Sequence, residues 1–186
     1  MPLLAFPSQK EWDLWLEANH ARAAGLWMKI AKKASGVATV SYDEAVDAAL
    51  CWGWIDGQKG RFDDTWFLQR FTPRRPRSQW SQVNREKVAA LSAAGRMREP
   101  GLRQVEAARA DGRWAAAYPP QSALTVPADL QSRLDAHPTA AAFYATLDRQ
   151  NRYAILYRLH AARKPETREK RLEQFVTMLA EGRKIY

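Results

Sequence analysis

Apolar residues near the amino terminus recur at helical spacing. Trp12, Trp15 and Leu16 share one face, and Ser8 with Glu11 forms an S-x-x-E capping box ahead of them. A helix over about 9–19 is expected. Residues 26–33 set aromatic and branched side chains between Gly25 and the Ser35-Gly36 turn, the pattern of a short strand. Ser41 and Glu44 repeat the capping box, Ala45, Val46, Ala49 and Leu50 form a buried stripe, and Gly53 stands where a second helix would end. From Trp54 to Pro73 the pattern alternates around Asp63-Asp64, which predicts an antiparallel hairpin.

Beyond Pro76 the periodicity is helical throughout. Ser81 precedes Val83, Val88 and Leu91, with Gly95 as the stop, and Pro100 opens a segment carrying Leu102, Val105 and Ala108 that Gly112 closes. Residues 115–127 are uncharged, rich in proline and aperiodic, so they are expected to connect two parts. Pro127, Pro138 and Pro165 sit where helices would begin, because the first turn has no intrahelical partner for the missing N–H. The last helix carries Leu172, Phe175, Val176 and Leu179 on one side and ends at Gly182. The expected fold is α+β: residues 1–114 form a mixed domain with a small antiparallel sheet, 115–127 a connection, and 128–186 a helical domain.

Charge sharpens this division. The chain of 186 residues has a formal charge of +9, and the excess is concentrated: residues 70–103 carry nine basic and two acidic groups, residues 136–186 ten and five. Residues 1–60, with six basic and seven acidic groups, are near neutral. A basic block between neutral flanks sets up a local field that steers anions. The single cysteine, Cys51, excludes an intramolecular disulfide and points to a reducing, cytoplasmic setting. No run approaches the roughly 18 apolar residues of a membrane span. No metal-ligand spacing, phosphate loop, dinucleotide fingerprint or nucleophile elbow is present, so no metal or cofactor is implied.

Two constellations carry candidate chemistry. Arg70, Thr72, Arg74, Arg75, Arg77, Ser78, Trp80, Ser81 and Asn84 interleave cations, hydroxyls and an aromatic ahead of a helix amino terminus. Guanidinium forks match phosphate or carboxylate, and tryptophan offers a stacking face, which makes the segment an anion cradle. If so, Arg74, Arg75 and Trp80 are at least partly exposed around one concavity. The plainer reading is a solvated basic turn with Ser81 as a helix cap. The second constellation is Trp52, Trp54 and Asp56, where a helix runs into a strand between Gly53 and Gly57: a pocket corner with Asp56 as anchor or acid/base group, or two core tryptophans and an Asp-Gly turn. Cys51, near a helix end and remote in sequence from His20, His137 and His160, reads as a buried structural thiol.

The stretches AVDAALCWGWIDGQKGRFDD, QRFTPRRPRSQWSQVN and GRMREPG, in that order, resemble the bacterial YdeI/OmpD-associated family. The resemblance extends to EWDLWLEANH and GLWMKIAKK before them and to AARKPETREKRLEQFVTMLAEGRK at the end. It implies a small mixed amino-terminal part, a helical carboxy-terminal part and a role in stress or bacteriocin protection. Three functions follow as expectations: a cytoplasmic protein binding a small anionic ligand or an acidic protein partner through residues 70–84; an enzyme using Asp56, with Arg74 or Arg75 orienting a charged substrate; and a nucleic-acid-binding protein, against which the neutral flanks count.

Overall fold

The computed structural model describes residues 1–120, 123 and 125–186. Gln121, Ser122 and Leu124, within the expected 115–127 connection, lie outside the described residues. The chain divides into two compact units, Met1–Ala117 and Tyr118–Tyr186.

The amino-terminal unit contains β1 (Leu3–Ala5), α1 (Gln9–Asn19), β2 (Leu26–Ala31), α2 (Tyr42–Cys51), β3 (Trp54–Arg61), β4 (Trp66–Pro73), α3 (Gln82–Ala93) and α4 (Glu99–Ala110). Strand order is β1-β2-β4-β3, antiparallel except where β1 runs parallel to β2. A parallel pair needs a crossover, and α1 supplies it. On one face Leu26, Met28, Ile30 and Phe71 are buried with Trp12, Leu16 and the inner stripe of α2. Ser41 forms the full capping box with Glu44, whereas Ser8 bonds only the Glu11 side chain and leaves the α1 backbone uncapped.

The hairpin contains a bulge between Asp56 and Lys59. Buried Gln69 donates its amide N–H to the carbonyls of Gly57 at 2.9 Å and Gln58 at 3.3 Å, which satisfies groups that the bulge removes from the ladder. Two residues after Cys51, Gly53 at φ +75° turns the chain from α2 into β3. There α4 packs on the end of α2 through Gly101, where an added Cβ would lie 2.3 Å from the Cys51 carbonyl oxygen.

The carboxy-terminal unit holds α5 (Ala128–Ala136), α6 (Pro138–Thr146), α7 (Arg149–His160) and α8 (Pro165–Ala180). Leu172, Phe175, Val176 and Leu179 of α8 are all buried, packed with Leu130, Leu134, Ile155 and Leu159. Arg168 binds both carboxylate oxygens of Asp129, which holds that carboxyl below its usual range. Among the described residues no helix is long and apolar enough to cross a membrane.

Candidate anion-binding site

After β4 the chain makes a tight turn. Arg75 donates its N–H to Ser78 Oγ at 3.0 Å, Ser78 donates its N–H to the Arg75 carbonyl at 2.9 Å, and Ser81 then caps Asn84 at the start of α3. In this turn the Arg74 guanidinium lies 3.5 Å from the centroid of the Trp80 ring and donates to the Gln79 carbonyl. Arg74 is 5% exposed and Trp80 1%. The expectation that both are exposed is therefore corrected. A guanidinium is planar and weakly hydrated, so stacking on an indole and bonding a carbonyl let it be buried here. Arg75 and Arg77 are exposed beside it, so Arg74 and Arg75 do not converge on one concavity.

The aromatic and cationic surface continues elsewhere. Trp80 and Trp114 meet edge-to-face, ring centroids 4.9 Å apart. Gly112, at φ +79°, ends α4 and folds Trp114 back, where its N–H donates to the Ala108 carbonyl at 2.8 Å. Arg113 is held by Asp111 and by the Ser78 carbonyl, which fixes this loop against the turn at residue 78. The guanidinium of Arg85, on α3, lies 5.4 Å from the Trp114 ring, and that of Arg109, in the last turn of α4, lies 5.3 Å away.

These three residues line a groove of about 480 Å³ with Gln82, Glu86 and Ala89. Gln82, Arg85, Glu86 and Ala89 reach it together because residues three and four apart share a helix face. Neither Arg85 nor Arg109 forms an ion pair among the described residues. Two guanidiniums beside a half-buried indole can hold an anionic group while the ring offers a surface for a planar one. Arg85, Arg109 and Trp114 lay outside the expected site. The usable signal was Trp114 two residues after the helix-ending Gly112, close to a last-turn arginine.

Other expected site residues go to different places. Arg70 and Thr72 lie half-buried on the sheet face opposite the core, not in the Trp114 groove. Asn84 is buried in α3, and Ser78 is used in the turn. The Trp52, Trp54 and Asp56 corner is split. Trp54 is core, donating to the His20 carbonyl and packing edge-on against Trp12 and Trp15. Trp52 donates to Asp13 Oδ1 at 3.0 Å and lines a separate groove of about 400 Å³ with Lys10, Arg96 and Arg98. Asp56 Oδ2 accepts the Tyr42 hydroxyl at 2.8 Å, and Asp56 lines neither groove. Burial pushes the Cys51 thiol from 9.0 up to about 11, against the opposing pull of Arg96.

Residues 4–104 match the model of a family described as a domain of unknown function (DUF8412), a span of more than half the chain. The chain belongs to this family. Residues 123–182 match a second model, described as Bacteriocin-protection, YdeI or OmpD-Associated, so the carboxy-terminal part carries the YdeI/OmpD-associated resemblance. The motifs at 45–64, 69–84 and 95–101 fall within the DUF8412 span, which narrows the resemblance expected over nearly the whole chain to its final third. No curated protein and no solved structure matches the chain.

Proposed function

We propose that the protein is a cytoplasmic binding protein that contributes to bacteriocin protection by holding an anionic partner at the Trp114 groove. The observation that carries this reading is the pair of guanidiniums, Arg85 and Arg109, each within 5.4 Å of the Trp114 ring centroid and without an ion-pair partner among the described residues. The ligand class that fits is a planar group bearing a phosphate or carboxylate, free or displayed by an acidic protein. The Arg74–Trp80 stack is the buried support: it holds the Trp80 ring against which Trp114 packs edge-to-face. The carboxy-terminal unit, with its match to the bacteriocin-protection family, supports the cellular role.

The test is survival of a bacteriocin-sensitive strain producing the protein, compared with the Arg85→Ala/Arg109→Ala variant at equal soluble level. Survival should rise with the native chain and fall back with the variant. Equal survival of producing and non-producing cells contradicts the role, and equal protection by chain and variant contradicts the site.

A further inference from the structure

We propose that the sheet face opposite the core is a platform for single-stranded nucleic acid, separate from the Trp114 groove. The strand register sets Trp27 opposite Arg70, Lys29 opposite Leu68, and Ala31 opposite Trp66, while Leu3 and Ala5 extend this face along β1. Alternation along a strand puts these side chains opposite buried Leu26, Met28 and Ile30. Trp27, Trp66, Leu68 and Ile55 are only half-buried, and they belong to neither hydrophobic core nor pack against one. This face is apolar and aromatic but unpartnered.

Its charge selects the occupant. The Lys29 ammonium lies 4.3 Å from the Phe62 ring and 4.9 Å from the Trp66 ring, and Phe62 is 44% exposed. Among the described residues Arg70 Nε, buried on this face, has no hydrogen-bond partner. In the hairpin turn Asp63 Oδ1 accepts the N–H groups of Thr65 and Trp66, and Asp64 pairs with Arg61. Lys29 comes from a segment that is neutral along the chain and Arg70 from the start of the basic block, and the sheet brings the two onto one face.

An acidic peptide would use the cations and leave the ring faces idle, whereas a single strand supplies a phosphate and a base at each step. Trp27 and Trp66, four register positions apart on neighbouring strands, are roughly 14 Å apart, suited to separate bases. A duplex hides its base faces, so it gains only the phosphate contacts.

The test is fluorescence anisotropy with the full chain and a fluorescein-labelled oligothymidylate of about 15 nucleotides, the reach of one such platform. Saturable binding is expected. It should weaken with salt, exceed binding to the matching duplex, and fall about tenfold in Trp66→Leu and in Lys29→Gln/Arg70→Gln. The Arg85→Ala/Arg109→Ala variant should bind the oligonucleotide normally, so the two sites fail or stand independently. Thermal melts of each variant separate a lost contact from a lost fold, and Trp27→Phe, which keeps a ring, should retain binding. Equal affinity for duplex, or an unchanged affinity in well-folded Trp66→Leu, overturns the proposal. So does equal competition by polyglutamate or by phosphatidylserine vesicles.

Discussion

The Arg74 guanidinium lies over the Trp80 ring, 3.5 Å from its centroid, and both residues are buried. A cation at this position contributes through stacking and a carbonyl bond rather than through ligand contact. Arg74→Ala leaves a cavity over the indole and removes the bond to the Gln79 carbonyl, with an expected loss of about 2 kcal/mol in urea unfolding. Arg75→Ala and Arg77→Ala, exposed on the same turn, should stay within about 0.5 kcal/mol of the native chain. An Arg74→Ala protein as stable as Arg75→Ala would contradict the stack.

Gly101 marks the closest approach of α4 to α2. An added Cβ would lie 2.3 Å from the Cys51 carbonyl oxygen and 2.7 Å from that of Leu50, both backbone atoms that cannot swing aside. Gly101→Ala should therefore cost about 2–3 kcal/mol by the overpacking it forces. Gly57→Ala, whose nearest neighbour would be 3.8 Å away, meets no such clash. Chemical denaturation of the two variants checks the difference.

Cys51 is expected to remain a thiol. Its ionisation is raised from 9.0 to about 11 chiefly by burial, so at pH 8 a disulfide reagent such as dithionitrobenzoate should react slowly with the native chain and rapidly with the unfolded one. The raised value also sets a sign for stability. Above pH 9 the unfolded thiol ionises first, so the folded state binds more protons and stability falls as pH rises from 9 through 11. Cys51→Ala, which removes the titrating group, should flatten that part of the pH profile.

Asn151, 1% exposed, fastens the chain end. Its side-chain oxygen accepts the N–H groups of Ile185 at 3.0 Å and Tyr186 at 2.9 Å, while its amide nitrogen donates to the Asp148 carboxylate. Asn151→Ala should release these amides to hydrogen exchange and lower the stability of the carboxy-terminal unit by about 1–3 kcal/mol. Asn151→Asp replaces the amide donor beside Asp148 with a second carboxylate, and should be no better tolerated.

Elements set by local chemistry were legible before the structure. The Ser41–Glu44 box, the hairpin about Asp63 and the α8 stripe each depend on residues a few positions apart. The three-residue β1 has no periodicity to reveal it, and only pairing with β2 makes it a strand. At the candidate site local pattern misled. Interleaved Arg74 and Trp80 look like an exposed cradle, yet their stacking and burial depend on how β4 enters the α3 turn. Trp114 becomes a site residue only because α3 and α4 bring Arg85 and Arg109 to it from 29 and 5 positions away along the chain.

The most direct test of the anion site is fluorine NMR of the chain labelled with 5-fluorotryptophan, with the Trp114 resonance assigned by Trp114→Phe and phenyl phosphate as the probe. The Trp114 resonance should shift saturably, with a smaller response from Trp80 packed against it, and the shift should vanish in Arg85→Ala/Arg109→Ala. Raised salt should weaken it by screening the guanidiniums. A Trp114 resonance that stays fixed while Trp52 shifts would place anion binding at the Arg96 and Arg98 groove and contradict the assignment.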